Sequence, residues 1–105
     1  MSISTHVLDT AAGRPASGMA VTLEFQTAEK EWMLLNSGVT DSEGRVKDFL
    51  PAGAVPKPGA YKLTFDTAGR FYPQVIVVFV VQDPAQHYHV PLLLSPYGYT
   101  TYRGS

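Results

Sequence analysis

The sequence contains no cysteine and few charged residues. Asp, Glu, Lys and Arg make up 16% of its 105 residues, against about 25% in an average soluble domain. Without cysteine the chain has no disulfide framework, thiolate metal site or cysteine nucleophile. Eight basic and nine acidic residues leave a formal charge of −1, which predicts neither nucleic-acid binding nor attraction to an anionic membrane. The shortage of surface charge favours an oligomer that covers part of its apolar exterior.

Long hydrophobic stretches are also missing. The longest apolar run extends from Val75 to Val81, whereas a membrane-spanning helix needs about 20 residues. The sequence begins without a basic segment followed by an apolar one, so we expect no secretory signal and a cytoplasmic location. A hydrophobic content of 45% excludes a disordered chain. The length predicts a single domain over residues 1–105.

The hydrophobic residues repeat at every second position. Met19, Val21, Leu23 and Phe25 share one face of an extended segment, and residues 61–65 repeat the pattern. Residues 74–81 are β-branched and apolar on both faces, which is typical of a strand covered on both sides, by its own chain or by a partner subunit. Segments 3–9, 31–35, 87–94 and 98–103 bring the prediction to about eight short strands.

Turn signals separate these segments at the spacing of an antiparallel β-sandwich. No segment shows the periodicity of an amphipathic helix. The sequence therefore predicts a single all-β sandwich. The five aspartates mostly fall at turns, where we expect their side chains to bond to the local backbone and not to act as paired catalytic carboxylates. These are Asp9, Asp41, Asp48, Asp66 and Asp83.

The three histidines all fall in predicted strands. His6 lies in the first strand, and His87 and His89 point to the same face of a later one. One histidine alone is more often structural, but three in strands favour a site for proton transfer near neutral pH. A three-histidine metal site is an alternative. We rank it lower, because no carboxylate stands directly beside the pair to orient it, and predict no metal ligands.

Arg45 begins a predicted strand directly after the Asp41–Gly44 turn. Pairing with a carboxylate would be its ordinary structural role, whereas clamping a planar, carbonyl-rich ligand would be a functional one. Arg103 has the same two interpretations. Tyr97, Tyr99 and Tyr102 are expected on one face, where sheet packing is commoner than ligand stacking. The residues alone thus predict a β-sandwich with a candidate His/Arg site.

Several motifs resemble the transthyretin-related 5-hydroxyisourate hydrolases. Together they cover essentially the whole chain. The final Tyr-Arg-Gly-Ser is the most specific of them, because it separates these hydrolases from the hormone carrier transthyretin, which has the same fold. The matching segments are Ser4–Asp9, Gly13–Ala16, Thr40–Arg45, Phe71–Pro73, His87–Tyr99 and Tyr102–Ser105.

The resemblance implies a transthyretin-like (prealbumin-like) sandwich in a homotetramer, a dimer of dimers whose active sites lie where subunits meet along a central channel. It implies hydrolysis of 5-hydroxyisourate, a product of urate oxidation, to 2-oxo-4-hydroxy-4-carboxy-5-ureidoimidazoline, without a cofactor. Catalytic roles carry over to His6, Arg45 and His89, with one histidine as base and the other as acid. Substrate-binding roles carry over to the tail, Tyr102, Arg103, Gly104 and Ser105. His87 receives a supporting or structural role.

One departure and two alternatives accompany the resemblance. The family's short helix falls where only residues 66–70 intervene here, so we expect it to be reduced or absent. A transthyretin-type carrier of a small hydrophobic ligand is one alternative, which predicts an open channel and no Tyr-Arg-Gly-Ser ending. A structural sandwich without a site is the other, which predicts that His6, Arg45 and His89 are dispersed.

Overall fold

The alternating segments form the strands of two packed sheets in a computed structural model that describes residues 1–105. No helix is present, and so none could cross a membrane. The nine strands are β1 (Ser2–Asp9), β2 (Arg14–Pro15), β3 (Ala20–Gln26), β4 (Trp32–Val39), β5 (Arg45–Val46), β6 (Gly59–Asp66), β7 (Gln74–Val81), β8 (His87–Ser95) and β9 (Gly98–Thr101). The prediction of an all-β sandwich is confirmed.

The first sheet has the order β2-β1-β8-β9, with β5 also paired to β1, and the second has the order β4-β3-β6-β7. Every ladder is antiparallel except β1–β8, which is parallel and sets Ser2 opposite His87 and Asp9 opposite Leu94. Local periodicity does not indicate which strands become neighbours, so the sequence did not predict this parallel pair. It joins the two ends of the chain.

The core lies between the two inner faces and contains fourteen buried side chains. Val21 and Leu23 of β3 are fully buried, as their alternation predicts. Leu63 and Phe65 of β6 are equally buried. Phe49 is also fully buried although it lies outside the strands; its N–H donates to the Ile3 carbonyl, which holds this loop against β1.

Strand β7 lies at the edge of the second sheet and has β6 as its one neighbour. Val75 and Val81 are buried, but Ile76, Val78 and Val80 are 47%, 55% and 62% exposed. Within one chain, the apolar run is therefore covered on one face. Strand β9 is likewise an edge, paired with β8 alone.

Turns and bends occupy residues 67–73, between β6 and β7. The expectation that the family helix is absent here is confirmed. Arg70 of this connection donates to Asp9 Oδ2 at 2.8 Å and forms a salt bridge with it. The connection of the second sheet is thereby tied to the end of β1 in the first.

Several strand limits differ from the prediction, and β9, expected over 98–103, ends at Thr101. Strand β4 continues to Val39, past residue 35, because its pairing with β3 keeps the turn-prone segment 36–38 extended. The Arg14–Pro15 segment, which lies outside the predicted strands, forms the short strand β2 against the end of β1. The role of the aspartates is confirmed, since each accepts at least one backbone N–H bond. These are Asp9, Asp41, Asp48, Asp66 and Asp83.

Candidate active site

The outer face of β1 carries Ser2, Ser4 and His6 at alternate positions. The side chains between them face inward, with Ile3 and Val7 in the core. The polar face is thus a consequence of the pleat, since burying one set of side chains turns the other set outward.

Strand register sets the other polar residues beside this face. Arg45 of β5 is the antiparallel partner of His6, which corresponds to about 5 Å between Cα atoms. On the other side of β1, Ser4 is the partner of His89. His6 and His89 are then neighbouring-strand residues offset by two positions, about 8 Å apart at Cα. The structure brings His6, Arg45 and His89 together, so the dispersion that a structural sandwich predicts is not observed.

A hydrogen-bonded chain of serines and histidines runs across β1 and β8. The Ser4 hydroxyl lies 2.7 Å from His89 Nδ1 and 3.2 Å from His87 Nε2. The Ser2 hydroxyl bonds to His87 Nδ1. The imidazoles of His87 and His89 are nearly parallel, with centroids 6.3 Å apart and planes 14° apart.

Ser4 is the residue that sequence reasoning missed. Its side chain faces outward, yet the residue is only 6% exposed and its hydroxyl contacts both histidines. The available signal was a Ser-x-Ser-x-His alternation in one strand and a His-x-His alternation in another. Without the β1–β8 pairing, nothing in the sequence sets these two patterns opposite each other.

The surroundings of His89 favour its neutral form. Burial lowers the pKa of His89, and the positive charges of Arg45, His87 and His6 lower this pKa further. A neutral imidazole can accept a proton from water, whereas a charged one cannot. His89 therefore has the protonation state that a general base requires.

Arg45 is positioned through its backbone, not through its side chain. Its N–H donates to Asp41 Oδ1 at 3.0 Å, and its carbonyl accepts the Asp41 N–H at 2.9 Å. The bond from the Arg45 N–H also lowers the pKa of Asp41. The guanidinium forms neither of the two salt bridges in the chain, which are Lys62–Glu24 and Arg70–Asp9. The Arg45 guanidinium thus has no carboxylate partner, which an ordinary structural role would require, and it can contact a ligand.

Gly104 docks the C-terminal tail on β8. It forms an antiparallel bridge with His89 and donates its N–H to the His89 carbonyl at 2.8 Å. A Cβ atom on Gly104 would lie 2.6 Å from His89 Cδ2 and 3.2 Å from Pro91 Cγ. Only glycine therefore fits so close to the imidazole, and Ser105 follows directly.

Arg103 lies apart from the histidines within one chain. Its guanidinium carbon is 4.6 Å from the centre of the Tyr88 ring, and it donates to Gln86 Oε1 at 3.0 Å. Tyr88 lies between His87 and His89 in β8 and points to the opposite, inner side of the sheet. Arg103 therefore anchors the tail on the side of β8 away from the imidazoles.

The tail tyrosine also differs from its neighbours. Tyr97 and Tyr99 pack edge-on against Phe71 and Tyr72, as sheet packing predicts. Tyr102 instead borders a cavity of 160 Å³ between the β7 and β9 edges, together with Val77, Phe79, Val80, Tyr88, Val90, Thr101 and Arg103. The prediction that all three tyrosines share a face is wrong, because the odd spacing from Tyr99 to Tyr102 changes the face.

His87 and His89 bond to serine hydroxyls within one chain. No group of three or more His, Cys, Asp or Glu side chains in the chain could hold a metal ion. Both nitrogens of His87 and Nδ1 of His89 bond to serine hydroxyls. Within one chain, His6, His87 and His89 are thus not grouped as the three-histidine alternative requires.

The fold and this site together define the class of protein. Two sheets with a parallel β1–β8 pair, and a His/Arg face with a docked Gly-Ser tail, form a transthyretin-like sandwich with a candidate acid–base site. The chain belongs to the HIUase/Transthyretin family, whose model matches residues 3–104.

Curated relatives in this family are similar over almost the whole chain. The chain is 46% identical to a 5-hydroxyisourate hydrolase of Mus musculus, over 98% of this chain and 94% of that protein. It is 44% identical to a 5-hydroxyisourate hydrolase of Salmonella dublin, over 98% of this chain and 80% of that protein.

Solved structures of a hydrolase and of a transthyretin share the fold with this chain at 32% and 30% sequence identity. The 5-hydroxyisourate hydrolase of Klebsiella pneumoniae gives a TM-score of 0.85 at 32% identity and covers 99% of this chain and 98% of its own. Sea bream transthyretin in complex with thyroxine gives 0.89 at 30% identity, covering 99% and 95%. The fold is thus similar to both a hydrolase and a thyroxine-binding protein, so the argument for function depends on the site.

Proposed function

We propose that this protein hydrolyses 5-hydroxyisourate to 2-oxo-4-hydroxy-4-carboxy-5-ureidoimidazoline, a step of urate degradation. The observation that carries the proposal is the convergence of His6, Arg45 and His89 on one sheet face beside the docked Gly104. The curated relatives named 5-hydroxyisourate hydrolase support the same reaction. Water attacks a ring carbonyl, the carbon–nitrogen bond of the cyclic amide breaks, and the ring nitrogen receives a proton.

Each of the three side chains has a role in this reaction. His89 is the general base, because its lowered pKa keeps it neutral. His6 protonates the leaving ring nitrogen. Arg45, which is always charged and has no carboxylate partner, stabilises the negative charge that develops on the carbonyl oxygen.

The tail completes the substrate site. Gly104 brings Ser105 beside His89, so the Ser105 hydroxyl can position substrate or water. Within one chain Tyr102 borders the cavity beside Tyr88 and Val90, so its proposed role in binding substrate depends on where a second subunit meets this surface. Arg103 contributes indirectly, because its contacts with Tyr88 and Gln86 hold the backbone that carries the other three residues.

The proposal includes a homotetramer arranged as a dimer of dimers. The exposed face of β7, with Ile76, Val78 and Val80, is an apolar surface on a chain that is short of charge. The free edges of β7 and β9 expose unpaired backbone groups that a second copy can pair with. Light scattering measures the mass directly, and Val78→Glu is expected to lower it by charging the apolar face. A monomeric wild-type protein would contradict this part.

The reaction itself is tested by generating 5-hydroxyisourate from urate with a urate oxidase and following its decay in ultraviolet absorbance. Wild-type protein is expected to accelerate the decay, and His6→Ala and His89→Ala to lose on the order of 10²–10⁴-fold in rate. Glu29→Ala, on the exposed β3–β4 turn, is the matched control and keeps the wild-type rate. An unchanged decay with folded, oligomeric wild type would overturn the proposal, and full turnover by His89→Ala would overturn its role.

The carrier alternative has one observation in its favour, the likeness to sea bream transthyretin in complex with thyroxine. It is tested by titrating the protein with thyroxine. Binding of thyroxine together with an unchanged 5-hydroxyisourate decay would favour the carrier.

The expected cytoplasmic location stays a prediction, which cell fractionation tests.

A further inference from the structure

The Ser4 hydroxyl joins the two histidines of β8, although the reaction described above uses only one of them. Its oxygen has one proton to donate and lone pairs to accept with. The two nitrogens that it faces, His89 Nδ1 and His87 Nε2, can each be donor or acceptor according to tautomer. A consistent arrangement therefore has one histidine donating to Ser4 and the other accepting from it.

The direction of this chain follows from what His89 must do. For His89 Nε2 to accept a proton from water, the proton of the neutral ring must be on Nδ1. His89 Nδ1–H then donates to the Ser4 oxygen, and the Ser4 hydroxyl donates to His87 Nε2. With Nε2 of His87 accepting, its ring proton is on Nδ1, where it meets the Ser2 hydroxyl. Each nitrogen and oxygen of this hydrogen-bonded chain then has a partner, except His89 Nε2, which is left to accept from water.

We propose that Ser4 is a positioning residue that holds His89 in its Nδ1–H tautomer and relays a proton between His89 and His87. When water gives a proton to His89 Nε2, the Nδ1 proton passes to Ser4. The Ser4 proton passes to His87 Nε2, and each bond broken is replaced by one formed. The positive charge moves from the half-buried ring to the exposed one. His89 is left neutral with its proton on Nε2, ready to return it.

The electrostatics around His89 support this direction of transfer. Burial is the first cause that disfavours a charge on the His89 ring, followed by positive charge on Arg45 of β5, on His87 of its own strand and on His6 of β1. Because His87 is the proton acceptor in the relay, burial, Arg45 and His6 are what favour moving the charge away from His89. The tail contributes a backbone bond from Gly104 to the His89 carbonyl, not to the ring. Nδ1 of His89 therefore has Ser4 as its one hydrogen-bond partner.

The first test is the tautomer, which does not require activity. Imidazole nitrogen-15 shifts of the wild type are expected to show the proton of neutral His89 on Nδ1. In Ser4→Ala the proton is expected to redistribute toward Nε2, and Ser4→Thr, which keeps the hydroxyl, is expected to restore the wild-type shifts. Ser37→Ala on the exposed part of β4 is the matched control. Wild-type shifts in a folded Ser4→Ala protein would overturn the positioning role.

The second test is kinetic and rests on the proposed hydrolysis. Loss of the hydroxyl is expected to lower kcat on the order of 10-fold, the worth of about one hydrogen bond, and to move the pH profile of kcat. His87→Ala should have a similar effect, and the double variant should be no slower than either single one, because both interrupt one relay. Multiplying effects would refute the relay. If the wild type fails to hydrolyse 5-hydroxyisourate, the proposed function fails, while the tautomer result still judges Ser4.

Discussion

Replacing Gly104 by alanine tests how closely the tail must approach His89. The added Cβ would lie 2.6 Å from His89 Cδ2, whereas carbon atoms rest at about 3.5–4.0 Å. The ring or the tail must therefore move by about 1 Å. A displacement of that size at reacting groups costs about 10²-fold in rate, or about 2.7 kcal/mol in activation free energy.

Stability should change far less than activity in Gly104→Ala. At most one backbone hydrogen bond, from Gly104 to the His89 carbonyl, is lost, with a net worth of about 0.5–1.5 kcal/mol. We therefore expect kcat/KM for 5-hydroxyisourate to fall on the order of 100-fold while the urea midpoint decreases only slightly. Both are measured on the same preparation.

Gly98→Ala is the matched control, because its nearest neighbour is the rotatable Ser95 hydroxyl at 3.3 Å. It should keep a kcat/KM within a few-fold of wild type. If Gly104→Ala retains wild-type kcat/KM, or if Gly98→Ala loses as much, the close approach of the tail to His89 does not govern catalysis and the reasoning fails.

Three further predictions concern charge and packing. Arg45→Met removes a positive charge that lowers the pKa of His89, so this pKa should rise in an NMR titration; an unchanged value would contradict that cause. The Arg70 hydrogen bond lowers the pKa of Asp9, so this carboxylate stabilises the fold fully above its ordinary pKa of 3.8 and progressively less as the pH falls. Asp9→Asn should thus flatten the acid side of the stability curve, measured by urea unfolding; an equally steep curve would exclude this role. Leu63→Ala leaves a cavity at a fully buried position and should lower the free energy of unfolding by about 2–5 kcal/mol in the same assay. A decrease below about 1 kcal/mol would show that the core collapses to fill the cavity.

The fold was predictable where burial imposes a period on one strand. Val21, Leu23, Leu63 and Phe65 are in the core because a pleated strand turns alternate side chains inward. Pairing between distant segments was not predictable from the same signal. The parallel β1–β8 ladder and the burial of Phe49 both depend on contacts that no local pattern specifies.

The candidate site was likewise predictable only in part. His6, Arg45 and His89 were identified by residue type and by resemblance, and register brings them together. Ser4 was missed because its importance arises only when β1 lies beside β8. Arg103 was expected to bind substrate, but within one chain its guanidinium packs on Tyr88. A sequence motif could not predict this contact, because the order of residues in the tail does not fix the direction of their side chains.

The β1–β8 ladder also has a consequence for how the protein acquires activity during synthesis. Ser4 and His89 are 85 positions apart in the chain, so the proposed catalytic face cannot assemble until β8 has been made. Closing so large a loop is entropically costly, and all-β domains dominated by distant pairings fold in milliseconds to seconds. The nascent chain therefore exposes the apolar strand β7 before β8 exists. Because an exposed apolar edge strand can pair with other chains, we expect the chain to aggregate more readily before it folds than afterwards.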